Sequence, residues 1–336
     1  MSELLVNLVR GSLIESQHRG DLVVADREGA ILLSLGNPEH LAYWRSSAKP
    51  FQALPLIEHH CQDIFNFTEQ EIALFTSSHG GEENHVEAIR GILHKLGLSD
   101  SALDCGVSAP MHRPSAKNIL ASGNNFSTLN NACSGKHTGM LALALLLNAP
   151  LTGYIQKDHP VQQEMLKAIC QCTSLSPDRV HMGVDGCGVP VFGLPLGNMA
   201  MAYARLSLPE GYFSAERVQA LHTIRNAMTE YPYYVAGTDR LDSILMEVTQ
   251  GRIVAKIGSE GIYCAGIVDH GIGLALKIED GSSRAIDPVI IEVLKHLGYI
   301  SQAEFEKLRH LWRPILKNHR GDEIGHLEVA FNFKNK

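Results

Sequence analysis

In the segment Trp44-Arg45-Ser46-Ser47-Ala48-Lys49-Pro50-Phe51 a serine stands three residues before a lysine. On a helix those two side chains share a face. A serine hydroxyl becomes a useful nucleophile only when a neighbouring base takes its proton, and a partly desolvated lysine can be that base. The same string also reads as a helix start with serine caps and a solvated lysine. Further on, Ala73-Leu74-Phe75-Thr76-Ser77-Ser78-His79-Gly80-Gly81-Glu82-Glu83 ends an apolar run in hydroxyls, an imidazole and two glycines. Such a turn can bring a hydroxyl and backbone N–H groups to a substrate, or simply close a helix.

Asn130-Asn131-Ala132-Cys133-Ser134-Gly135-Lys136-His137-Thr138-Gly139-Met140 gathers amides, a thiol, a hydroxyl, an amine and an imidazole between loop and helix. Few structural segments need that mixture, so it marks a candidate site. Val184-Asp185-Gly186-Cys187-Gly188-Val189-Pro190 likewise sets a cysteine beside small residues and a carboxylate. Cys133 and Cys187 with one nitrogen or oxygen ligand would suit zinc, although the Cys-x-x-Cys spacing of a strong zinc motif is missing. Lys256-Ile257-Gly258-Ser259-Glu260-Gly261 follows a β-prone run. A lysine there, on an edge strand lining a cleft, could meet the first serine pair, or could merely end a strand before a hairpin turn.

The elements that must position these residues fall into three stretches. Residues 11–36 alternate β-prone runs with glycine-containing turns and read as an antiparallel meander. After Pro50, apolar residues recur three and four apart near 69–77, 83–97, 137–148, 160–172, 214–229 and 241–249, so the middle is predicted to be helical. Strand texture returns at 252–257, 261–268 and 273–278, followed by helices near 287–297 and 301–311 and a closing strand at 328–333. Strands at both ends pair most economically in one antiparallel sheet covered by the helical middle, an α/β fold. No internal repeat, low-complexity tract or linker divides the chain, so residues 1–336 are expected to form one interwoven unit.

Bulk properties narrow the partners. Hydrophobic residues make up 45% and charged residues 19%, and no apolar stretch is long enough for a membrane span. The net charge of −7 comes without a long acidic or basic run, which argues against nucleic acid or an anionic membrane as partner. The first ten residues carry no signal-peptide core. Seven cysteines, an odd number scattered along the chain, suit thiols in a reducing cytoplasm better than a disulfide framework.

Together these segments carry a family resemblance. Arg45-Ser46-Ser47-Ala48-Lys49-Pro50, Ser78-His79, Cys133-Ser134-Gly135-Lys136-His137, Asp185-Gly186-Cys187-Gly188-Val189-Pro190 and the stretch from Gly273 through Ile278-Glu279-Asp280-Gly281-Ser282 resemble the Rhizobium etli type (class 3) L-asparaginases. The resemblance runs almost end to end. It implies a fold similar to serine β-lactamases and penicillin-binding proteins, and a Ser-x-x-Lys before a helical middle with a Lys-x-Gly on a late strand follows that chain order. It further implies two Ser-Lys pairs, Ser46 with Lys49 and Ser78 with Lys256, around the scissile amide of L-asparagine. Zinc would sit on Cys133, Cys187 and Lys136 and orient the substrate-binding loop rather than generate hydroxide. Asp185 and His137 would contact substrate, with Arg45 and Lys136 beside them, and a homodimer is implied. By charge complementarity, Arg240 and Asp242 could fix the substrate's α-carboxylate and α-amine. After Ser78 the chain reads His79-Gly80, and Lys256 is followed by Ile257-Gly258, so penicillin chemistry is not implied. A glutaminase or peptidase, a zinc-dependent amidase and a non-catalytic amino-acid-binding protein stand as alternatives.

Overall fold

A computed structural model describes residues 2–333. Met1 and residues 334–336 of the expected unit lie outside the described residues. The N-terminal run forms β1 (Glu3–Arg10), which turns back through Gly11 into the long β2 (Leu13–Asp26). β3 (Ile31–Leu35) completes the expected meander. β4 (Leu41–Tyr43), β5 (His181–Val184) and β6 (Pro190–Pro195) form a separate small sheet in the order β4-β6-β5. β7 (Ile253–Gly258), β8 (Ile262–Ile267), β9 (Ile272–Ile278), β10 (Ile315–Lys317) and β11 (Glu323–Val329) follow.

N- and C-terminal strands pair as expected. The main sheet runs β10-β11-β1-β2-β9-β8-β7, with β3 on β2, and every pairing is antiparallel. β7, with Lys256, is its edge strand. The helical segments foreseen in the middle appear at Glu69–Phe75, Glu83–Lys95, Ser134–Leu146, Pro160–Thr173, Ala215–Glu230 and Leu241–Val248. Those near the C-terminus appear at Ile286–His296 and Gln302–Trp312. Buried apolar side chains from Leu5 to Leu327 form one contiguous cluster. Among the described residues, no helix is long and apolar enough to cross a membrane.

Three expectations need correction. The closing strand is Glu323–Val329, not 328–333. Its register is set by β1, with Val6 opposite Val329 and Arg10 opposite Gly325, and a charged start with a glycine hides it from a β-propensity reading. The middle is mainly helical as expected, but the small sheet of β4, β5 and β6 within or beside it was not foreseen. Finally, the Leu196–Ser207 helix escaped the periodicity reading. It is buried nearly all round, from Leu196 through Met199, Ala200, Ala202, Tyr203, Ala204 and Leu206, and such a helix has no polar face to reveal its period.

That hidden helix is the spine of the fold, because it packs directly on β9, β8 and β2. Glycine makes the approach possible: a Cβ on Gly273 would lie 1.9 Å from the Ala200 carbonyl oxygen and 2.4 Å from the Ala204 nitrogen. Both obstacles are backbone, which cannot rotate away. Gly273→Ala should therefore destabilise the protein by about 3 kcal/mol or more through overpacking. Chemical denaturation of the variant against the parent measures this, and an unchanged midpoint would refute the close helix–sheet contact.

Candidate active site

The Ser46 segment starts where the chain leaves β4. Trp44 is fully buried, stacks on Phe51 at 4.8 Å and donates its indole N–H to the Cys264 thiol at 3.4 Å. Arg45 then takes a left-handed backbone, φ +51°, an arrangement that costs a non-glycine residue about 1–2 kcal/mol and collects at functional sites. Arg45–Ala48 forms a 3-10 turn that runs into the Lys49–Gln52 helix. Ser47 is a strut: its hydroxyl donates to the Lys256 carbonyl at 2.8 Å, while its own carbonyl accepts from the Tyr203 hydroxyl at 2.8 Å. The first serine segment is thus tied directly to β7.

Lys49 and Lys256 are both fully buried, and both aim at one oxygen. Lys49 Nζ donates to Ser78 Oγ at 3.1 Å, and Lys256 Nζ donates to the same atom at 3.1 Å. Lys49 also donates to the Ser77 carbonyl and, at 3.3 Å, to Cys133 Sγ. Among the described residues no hydrogen bond joins Lys49 to Ser46, so the pair foreseen within one motif is crossed: the lysine of the first motif serves the serine of the second. Ser46 and Ser78 nonetheless line one cleft of about 510 Å³ with Cys133, Arg240, Ile257 and Asp287.

The Ser78 turn is fixed by its backbone and by two histidines. Ser78 N–H donates to the Val235 carbonyl at 2.9 Å. His79 Nδ1 accepts from Gly81 N–H at 3.0 Å, which leaves Nε2–H to donate to Ser134 Oγ at 2.9 Å. Burial, then His85 and Lys49, hold His79 well below the usual imidazole range, so it is a neutral brace. His85 stacks on it and donates to the Tyr233 carbonyl at 2.9 Å. Glu82 Oε2 accepts from the Thr238 hydroxyl at 2.7 Å and ties this turn to the loop before Arg240.

On β7, burial pushes Lys256 down to about 7, against Asp242, which works to raise it. Asp242 accepts from Lys256 Nζ at 3.5 Å and from Ile257 N–H at 3.0 Å, and is 1% exposed. It does not line the cleft. The expectation that Asp242 holds the substrate's amine is not met in this geometry: Oδ2 accepts from Lys256 and the β7 backbone beneath the cleft, and the buried Oδ1 has no partner among the described residues. Arg240, by contrast, does line the cleft.

The Ser134–Leu146 helix carries the thiol site. A Cβ on Gly135 would lie 2.3 Å from the Leu74 carbonyl oxygen, so glycine lets this helix lie against the Glu69–Phe75 helix. Lys136 Nζ donates to Cys187 Sγ at 3.2 Å. The neighbouring Cys187, with Lys49 and Lys136 adding to it, holds the Cys133 thiol well below its ordinary range despite burial. Burial works to lower Lys136, but Cys187, Cys133 and Asp185 together outweigh it and raise the amine. Arg45 Nη2 pairs with Asp185 at 2.8 Å. His137 Nδ1 meets the Tyr154 hydroxyl at 2.7 Å, while its buried Nε2 has no partner. Arg45, Lys136, His137 and Asp185 thus cluster about the thiols, and only Cys133 of this group lines the cleft.

Two thiols and an amine within hydrogen-bond contact form a soft donor set that fits zinc, provided the Lys136 proton is displaced. Among the described residues, no group of three or more His, Cys, Asp or Glu side chains could hold a metal, so the lysine would be indispensable. Sequence reasoning missed Asp287, Ser47, Tyr203, Ser134 and the His79–His85 stack. Ser47, His79 and Ser134 stand inside the quoted motifs without a role readable from them, and Asp287 and Tyr203 lie outside any motif; their roles come from contacts made only in the fold.

Serine hydroxyls on buried amines at the floor of a cleft form a site for nucleophilic and acid–base attack on a carbonyl. Comparison with known families then identifies the lineage: residues 6–329 match the family model described as L-asparaginase II, and the chain belongs to that family. It is an amidohydrolase by family. Curated proteins compared by sequence gave no significant match. Among solved structures, it is similar to a β-lactamase from Mycobacterium bovis, with 12% identity, TM-score 0.42 and coverage of 82% of this chain and 94% of that one. It is also similar to Mglu, with 14% identity, TM-score 0.38 and coverage of 84% of this chain and 61% of that one.

The Lys256–Asp242 contact makes a signed prediction. With Lys256 as base its neutral form is the competent one, and kcat/KM is then expected to fall as pH drops through about 7. Asp242→Asn removes the anion that favours the charged lysine, so the acidic limb should move to lower pH. A pH–rate profile reads the shift, and an upward movement would contradict the assignment.

Proposed function

We propose that the chain hydrolyses the side-chain amide of L-asparagine to L-aspartate and ammonia through an acyl-serine. The observation that carries this reading is the convergence of Lys49 and Lys256 on Ser78 Oγ beside Ser46, in a cleft of a chain of the asparaginase family. Ser46 Oγ attacks the carboxamide carbon, and its proton passes to the amine network of Lys49, Ser78 and Lys256. The resulting ammonium returns a proton to the amide nitrogen as the C–N bond breaks, releasing ammonia. Water then cleaves the ester with the same amines as base. Apo hydrogen bonds at such sites are often incomplete and tighten with substrate.

A second reading makes Ser78 the nucleophile, favoured by its direct contact with both lysines. Quenched-flow trapping with asparagine followed by peptide mass mapping separates the two: the aspartyl ester is expected on Ser46. Ser46→Ala and Ser78→Ala should each lower kcat by on the order of a thousandfold or more. An ester on Ser78 would reverse the roles, and full ammonia release by both variants would end the serine mechanism. A parallel assay with glutamine reports side-chain length discrimination.

Zinc is proposed on Cys133, Cys187 and Lys136, where it would supply positive charge and hold the substrate-binding loop in place. Elemental analysis of the isolated protein should find about one zinc per chain. Cys133→Ser and Cys187→Ser should each lose it, and wild-type protein without zinc at full activity would overturn the assignment. The reading carries a homodimer with it, and seven free thiols support a reducing compartment.

A further inference from the structure

We propose that Arg240 and Asp287 form the receptor for the α-carboxylate and α-ammonium of the substrate, so that the site selects a free amino acid. This rests on the amino-acid amidase reading above and names the groups that hold the part of the substrate remote from the scissile bond.

Both residues line the cleft that contains Ser46 and Ser78. Neither forms an ion pair among the described residues, and the Arg240 guanidinium reaches only the Met111 sulfur, at 3.8 Å. The other charges nearby are committed or peripheral. Arg284 donates to His18 at 2.8 Å and to Ser16 at 3.0 Å. Asp242 is buried beneath the cleft on Lys256 and Ile257. Glu260 and Asp239 are exposed at the rim. An opposite pair of unengaged charges, a guanidinium and a carboxylate in one cleft, matches a zwitterion: the planar fork suits a carboxylate and the carboxylate suits an ammonium.

Their placement is rigid. Arg240 is the N-cap residue of the Leu241–Val248 helix, and its carbonyl accepts from Ile244 N–H at 3.0 Å. The preceding Asp239 adopts φ +58°, which sets the direction of entry. Asp287 lies in the first turn of the Ile286–His296 helix. Binding groups mounted on helix starts keep their geometry better than groups on loops. Burial, and then Asp242, push the Asp287 carboxyl up to about 7, with Arg240 opposing. A carboxyl raised by burial and a like charge is one that an arriving ammonium stabilises as the anion.

The test compares ligands that lack one group each: L-asparagine, N-acetyl-L-asparagine and L-asparagine α-amide. Asp287→Asn should raise KM for L-asparagine at least ~10-fold, with kcat within about twofold, and leave KM for the N-acetyl compound unchanged. Arg240→Met should do the same for L-asparagine against the α-amide, and Arg240→Lys should recover part of the loss. Equal penalties on the complete and the truncated ligand, or no penalty, would overturn the receptor. Calorimetric binding of L-aspartate to wild type and both variants repeats the comparison without turnover, and melting temperatures identify a variant that is merely unfolded. Amino-acid binding that both variants weaken, with no ammonia release by the wild type, would sink the hydrolase reading and keep the receptor. Ammonia release with variant-insensitive binding would do the reverse.

Discussion

Two buried lysines sharing one hydroxyl is the arrangement on which the rest of the site depends. Lys49 and Lys256 each lie 3.1 Å from Ser78 Oγ. Two full positive charges, which these contacts hold no more than roughly 6 Å apart, repel by at least about 3 kcal/mol at an effective dielectric constant near 20, apart from the cost of desolvating each. Asp242, 3.5 Å from Lys256, counters this repulsion, and burial of the Lys256 amine decides the balance. The outcome is a lysine pushed down to about 7, ready to exist as amine at neutral pH. A hydroxyl between an amine and an ammonium can accept from one and donate to the other, which is what a proton route between base and acid requires.

Like charges at that distance would drift apart in a pliable protein, so much of the surrounding structure restrains them. The Ser47 hydroxyl binds the carbonyl of Lys256 itself, and Tyr203, from the helix buried against the sheet, holds the Ser47 carbonyl. Trp44 and Phe51, which flank the turn in sequence, stack on each other and close it. Gly135 and Gly273 permit backbone approaches that bring the thiol-bearing helix and the sheet-backing helix close enough to fix the two motifs. The left-handed Arg45 is the strained link, and its pairing with Asp185 helps to offset it.

The sequence was most legible where chemistry is written in residue type. Ser46, Lys49, Ser78, Cys133, Lys136, Cys187 and Lys256 stand out because nucleophiles, amines and thiols are seldom gathered in short segments without use, and six of these seven meet through the contacts of Lys49, Lys136 and Lys256. The pairing of strands from both chain ends was legible because β-prone runs punctuated by glycine turns occur at both ends, with helical periodicity between them. What could not be read was the partner of each group. Lys49 bonds Ser78 rather than Ser46, and Asp242 serves Lys256 from below the cleft, because side-chain direction depends on the packed backbone and not on spacing along the chain. Asp287 was invisible for the same reason: an aspartate in the first turn of a helix is ordinary as a dipole partner.

Lys49 joins two sites that the sequence presents separately. Its amine touches Ser78 and also Cys133, whose thiol is held toward the anion by Cys187, Lys49 and Lys136. Whatever sits on the thiols therefore acts on the same amine that must trade protons with the serines. The hydrolytic pair and the thiol cluster consequently share one charge balance, and a substitution at Cys133 reaches the serine chemistry through Lys49 without touching either hydroxyl. That coupling gives a physical reason for two cysteines to stand beside a hydrolytic site whose proposed covalent step uses neither of them.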